Sequence, residues 1–190
     1  MIRTLKQKLA KRQDLLTIAD MLPSGVRILD LGCGDGSFLK LVREDKNIRG
    51  LGVEISQSQI LECAANGVHV VNYDLDEGLR MFNDKSFDYV ILSQTLQALK
   101  RPDLILDEML RVGCTCIVSF INIGFINSRI QLAFTGRMPV TKTIPYPWYA
   151  TPNIHLGTIK DFKSLCSDKG IKIIREAPVS YQRLNPAAWL

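Results

Sequence analysis

The chain has 190 residues, 46% apolar and 23% charged, which fits a globular domain with a sizeable core and excludes a disordered or fibrous one. Its formal charge of +5 is local: Arg3, Lys6, Lys8, Lys11 and Arg12 fall in the first twelve residues with no acid among them, and the remainder balances. That balance argues against a nucleic-acid-binding stripe, and no uncharged apolar run is long enough for a membrane span.

Five cysteines form no regular framework, and the basic N-terminus has neither the apolar core nor the cleavage site of a signal peptide. A reducing, cytoplasmic setting is expected. No metal is expected either, because Cys114-x-Cys116 lacks a second ligand pair.

In chain order, residues 1–22 read as a basic helix, taken as a solvated arm, with docking onto an acidic partner as the alternative. Strands are then expected at Val26–Leu31, Ile48–Val53, Val68–Val71, Phe87–Ser93, Cys114–Phe120 and Ile171–Val179. Helices are expected at Ser37–Arg43, Ser56–Ala65 and Pro102–Arg111. A further helix runs from Thr158, with Ile159, Phe162, Leu165 and Cys166 on one face, and ends at Gly170. Pro102 suits a first helical turn and Gly113 suits a stop. Strands alternating with helices are the rhythm of a parallel sheet. The whole chain reads as one domain, α/β and doubly wound. Two stretches break the rhythm. Residues 121–155 hold the proline- and aromatic-rich run Gly136–Pro152, expected to be a lid or a docking segment. Tyr181–Leu190 does not read as a strand.

The chemistry begins at Leu29-Asp30-Leu31-Gly32-Cys33-Gly34-Asp35-Gly36. A glycine turn between strand and helix lets backbone approach a ligand and aims helix N–H groups at it. A dinucleotide fingerprint would need its third glycine where Ser37 stands, and Asp30 and Asp35 would repel a pyrophosphate. They suit a ligand that is cationic at that end. Glu54 ends the second expected strand, where an acid can take both ribose hydroxyls, and Asp74 follows the third, where it could accept from an adenine amino group. The three in register describe a nucleoside bearing an amino-acid tail.

Ile28–Gly36, Glu54, Tyr73–Leu79 and Phe87–Leu99 resemble the class I S-adenosylmethionine-dependent methyltransferase superfamily. The resemblance implies a mostly parallel, seven-stranded, Rossmann-like sheet whose last strand is antiparallel, and here short or missing. It implies S-adenosylmethionine or S-adenosylhomocysteine as ligand. Asp30 and the backbone of Gly32, Cys33, Gly34, Asp35 and Gly36 would hold the methionine moiety. Glu54, with Ile55 beside it, would hold the ribose. Asp74 and Leu75 would hold adenine, and Ser93 and Gln94 would line the methionine end.

A narrower resemblance, to the MetW methionine biosynthesis family, rests on Val90–Gln97, Arg101–Gly113 and above all Gly136–Phe162. Where that family is expected to carry a segment like Pro-Asn-Phe-Gly-His-Trp, this chain has Ile121-Asn122-Ile123-Gly124-Phe125-Ile126, so no role of a histidine or tryptophan carries over. The family implies a subunit that supports a homoserine O-acyltransferase. The alternative is a methyltransferase acting on a small molecule. No catalytic residue is identified for that alternative. Its candidates lie in the aromatic segment, chiefly His155, Tyr149 and Asn153.

Overall fold

The computed structural model describes residues 2–141 and 145–179. The stretch Tyr181–Leu190 and residues 142–144 lie outside it.

Among the described residues five parallel strands, β1 (Arg27–Leu31), β2 (Arg49–Glu54), β3 (His69–Asn72), β4 (Phe87–Ser93) and β5 (Gly113–Ser119), stand in the order β3-β2-β1-β4-β5. Helices α3 (Ser37–Lys46), α4 (Gln57–Ala65) and α5 (Pro102–Val112) follow β1, β2 and β4. The sheet is α/β and doubly wound, as expected. Alternation along the central strands divides the core. Ile28 of β1 and Ile91 of β4 pack with α3, while Leu29, Leu31, Val90 and Leu92 pack with Ile105, Leu106, Met109 and Val112 of α5. Asp30 lies two residues after Ile28, so it falls on the α3 face.

Three elements differ from the sequence reading. The basic N-terminus is not a single solvated helix. It forms α1 (Ile2–Lys8), a 3-10 turn (Leu9–Lys11) and α2 (Gln13–Met21), with Leu5, Leu9, Leu15 and Ile18 buried in the α3-side core. Lys6 meets Asp45 at 3.2 Å and Lys8 meets Asp35 at 2.6 Å, so the basic residues tie the arm to its own domain. Secondly, an unforeseen helix α6 (Ile126–Thr135) follows β5 and is stopped by Gly136 at φ 63°. Thirdly, Ile171–Val179 forms no strand, although its pattern is strand-like. A strand needs a ladder partner, and none of the described residues pairs with it; Ile174 stays exposed. A helix, α7 (Ile159–Asp168), follows Thr158 as anticipated, and the Thr158 hydroxyl and Asp161 cap it with a capping box.

Candidate functional site

The carboxyl end of β1 turns through Gly32, Gly34 and Gly36, all three at φ between 57° and 74°. Glycine alone takes this left-handed backbone cheaply. Space demands it too: a Cβ on Gly32 would stand 2.6 Å from Thr95 Oγ1, and one on Gly36 3.0 Å from Cys63 Sγ. The Gly32 and Cys33 N–H groups donate to the Val53 carbonyl at 2.8 and 3.1 Å, pressing the loop against β2. Asp35 then opens α3, accepting from the Ser37 N–H at 2.9 Å and the Ser37 hydroxyl at 2.7 Å.

Over the loop lies a cavity of about 340 Å³. That is within the range of small-molecule sites. It opens where the strand order reverses, β1 leading outward to β2 on one side and lying against β4 on the other. Open α/β sheets bind ligands at such points. Its walls come from the loop, from Ser93 at the end of β4, from Gln59 and Glu62 of α4, and from Lys8, Leu9, Arg12 and Leu15 of the arm.

Asp30, 2% exposed, is its most perturbed acid. Burial, opposed by the Arg12 charge and reinforced by Glu54 and Asp14, pushes its carboxyl up to about 7. Arg12 forks onto Asp14 through Nε and Nη2, both at 3.0 Å, and its Nη2 donates to Ser93 Oγ at 2.8 Å. The hydroxyls of Ser93 and Ser119 donate to Asp14 Oδ2 at 2.7 and 3.0 Å. Burial alone would raise Asp14; the Arg12 fork and charge with the two hydroxyls outweigh it and hold the carboxyl below its usual range. Asp35 is likewise low, because Lys8 and Ser37 outweigh the effect of burial. The cavity wall therefore carries two cations, Lys8 and Arg12, beside three carboxylates, Asp30, Asp35 and Glu62. Both signs at close quarters suit an amino-acid zwitterion better than a simple cation.

Of the residues expected from sequence, the cavity gathers Asp30, Gly32, Cys33, Gly34, Asp35 and Ser93. Glu54 adjoins it: one carboxyl oxygen accepts from the Gly34 N–H at 2.9 Å, the other from Ile55 and Ser56 at 2.9 and 3.0 Å. Ile55 is exposed. Asp74 accepts from the Asp76 N–H at 2.9 Å and starts a short 3-10 turn, while Leu75 is buried in the α5-side core. Gln94 sits at φ 56°, its N–H on the Ser119 carbonyl at 2.9 Å. Cys33 lies 3.8 Å from Cys63, Sγ to Sγ, and burial pushes both thiols up, away from nucleophilic reactivity.

The three catalytic candidates are not brought to the cavity wall. His155 Nε2 faces the Lys100 carbonyl at 3.3 Å, the Asn153 N–H reaches Thr151 Oγ1 at 3.1 Å, and exposed Tyr149 packs edge-on against Trp148. Sequence reasoning missed Lys8, Arg12, Gln59 and Glu62. The signal for the arm was the apolar set Ile2, Leu5 and Leu9 at helical spacing inside the basic stretch.

The sequence matches the family model described as methionine biosynthesis protein MetW over residues 12–190. The chain belongs to the MetW family. It is 37% identical over 169 residues to the bifunctional methionine biosynthesis protein MetXA/MetW of Rhodopirellula baltica, covering 84% of this chain and 27% of that protein. The MetW-family chain thus spans about a quarter of that relative's length. Its fold is shared by an S-adenosylmethionine-dependent methyltransferase from Mesorhizobium loti, at TM-score 0.61 and 20% identity, over 85% of this chain and 80% of that one. A second, from Archaeoglobus fulgidus, aligns at TM-score 0.60 and 21% identity, over 90% and 69%. The MetW match opens on Arg12, so the arginine at the cavity falls inside the family region. Among the described residues no helix is long and apolar enough to cross a membrane.

Proposed function

We propose that this MetW-family chain is a cytoplasmic subunit that binds S-adenosylmethionine, or its homocysteine product, and supports a homoserine O-acyltransferase in methionine biosynthesis. The family membership supports the pathway, and the MetXA/MetW relative, which carries both names in one chain, supports the partner. The ligand is supported by the cavity. In this reading Asp30 takes the ligand's ammonium group, Arg12 lies close enough to balance its carboxylate, and the glycine loop admits its tail to the sheet edge.

Glu54 takes the ribose. A carboxylate has about four acceptor positions, and three backbone N–H groups already occupy Glu54. Two ribose hydroxyls therefore displace at least one of them, and Gly34, on the cavity wall, is the one free to turn its N–H to the ligand. Asp74 and Leu75, which follow β3, hold adenine. S-adenosylmethionine would supply an electrophilic methyl group, but the observation that favours a supporting role is that His155, Tyr149 and Asn153 all stand off the cavity wall.

The test is a reconstitution. Acyltransferase activity is measured with the purified partner alone, with this chain, and with this chain plus S-adenosylmethionine. Activity is expected to depend on this chain and to change with the ligand. Full activity of the partner alone refutes the proposal, and stoichiometric methylation of a small acceptor by this chain favours the methyltransferase alternative.

A further inference from the structure

We propose that the excursion between Ile121 and His155, led by α6, is the surface on which the acyltransferase docks, through an apolar cleft bordered by carboxylates. The proposal rests on the partnership just proposed. Its first support is the neck of the excursion. Gln97, itself buried, binds both ends: its side-chain amide donates to the Ile121 carbonyl at 3.1 Å and the His155 carbonyl at 3.2 Å, and accepts from the Ile121 N–H at 2.9 Å. Its backbone carbonyl accepts from Ile154 and His155 at 2.9 and 3.0 Å. The segment therefore leaves and re-enters the carboxyl edge of the sheet at one fixed point, where a flexible linker would have no such clasp.

What the neck holds out is apolar and uncovered. Of the nineteen large apolar residues exposed among the described residues, eleven lie between Phe125 and Ile154. On α6 the only buried residue is Ser128, while Ile126, Ile130 and Phe134, at i, i+4 and i+8, share an outward stripe that ends with Phe134 86% exposed. Trp148 and Tyr149 are 74% and 75% exposed. An isolated helix of ten residues is marginal in water, and its stability normally comes from packing one face. Here the face to be packed points away from the domain. Exposed apolar surface of this extent marks an interaction site, and aromatic residues carry most of the energy in such interfaces.

Charge decides the occupant. No Asp or Glu occurs between Glu108 and Asp161, a run of 52 residues that carries Arg111, Arg129, Arg137, Lys142 and Lys160. A second copy meeting the same face about a two-fold axis would set arginine against arginine with no carboxylate in the segment to answer them. A membrane surface fits poorly as well, because α6 carries one cation, Arg129, where interfacial helices carry a basic face. A protein cleft with an apolar floor and an acidic rim answers both features.

The experiment immobilises the partner acyltransferase and measures binding of the full chain as wild type, Phe134→Asp, Trp148→Asp and, as an exposed apolar control on α5, Leu104→Asp. The wild type and the control are expected to bind equally and each of the other two at least tenfold more weakly, with S-adenosylmethionine affinity unchanged in all four. Wild-type binding that neither substitution weakens overturns the docking surface and leaves the partnership standing. No binding by the wild type overturns both. If the wild type sediments as a dimer that Phe134→Asp dissociates, with acyltransferase binding intact, the occupant is a second copy and the proposal fails. It fails likewise if the substitutions abolish binding to phosphatidylserine vesicles but spare the acyltransferase.

Discussion

Replacing Asp30 by Asn tests the electrostatics of the site directly. In the folded, ligand-free protein burial lifts the Asp30 carboxyl to about 7, whereas the unfolded chain titrates near 4. Between those values the folded state keeps a proton that the unfolded state has lost, so ionising Asp30 costs stability progressively as pH rises and the cost levels off above 7. Three pK units correspond to about 4 kcal/mol at pH 8, and roughly 1.5 kcal/mol has accrued by pH 5. Asn has the same shape and no charge, so Asp30→Asn is expected to be more stable than wild type at pH 8, the advantage shrinking towards pH 4. Urea unfolding of both proteins at pH 4, 5, 6, 7 and 8 measures the difference, which isolates Asp30 from other titrating groups. A difference that does not vary with pH refutes the reasoning. The same argument predicts the opposite sign for ligand. A cation placed against Asp30 restores its ionisation, so S-adenosylmethionine should bind more tightly as pH rises from 5 to 7 and release up to one proton, which titration calorimetry in two buffers detects.

Arg12→Ala should destabilise the chain by about 2 kcal/mol at pH 7, because it strands the buried Asp14 carboxylate while the partly exposed arginine softens the loss. Asp14 titrates low when folded, so this deficit should fade below pH 4, and the double variant with Asp14→Asn should recover most of it in urea melts. Glu54→Ala and Asp74→Ala should each weaken S-adenosylmethionine binding at least tenfold by calorimetry; unchanged affinity removes the nucleoside assignment. Thiol alkylation at pH 7 should mark exposed Cys114 first and leave buried Cys33 and Cys63 unmodified until the chain unfolds, as read by peptide mass spectrometry.

Much of the site was legible because strand, glycine turn and helix N-terminus are consecutive in sequence: Asp30, Gly32 and Gly34 are fixed relative to one another by local backbone geometry alone. Glu54 was legible for a similar reason, since a parallel strand beside β1 must bring its own carboxyl end to the same edge. Ile171–Val179 misled, because alternation reports a surface suited to a sheet, and among the described residues no strand stands beside it to pair with.

Contacts between distant segments were not readable in this way. Charge in the first twelve residues looked solvated, and only folding showed Lys8 on Asp35 and Arg12 reaching Ser93, 81 residues away. Gln97 looked unremarkable beside the glycine loop, yet it clasps two segments 24 and 58 residues further on. The sequence by itself determined the sheet, the acidic glycine turn and the family, because these follow from periodicity, φ preferences and local order. The tertiary structure alone decided which cations line the cavity with Asp30 and which aromatics face outward, because burial and pairing are properties of surfaces that meet only once the chain has folded.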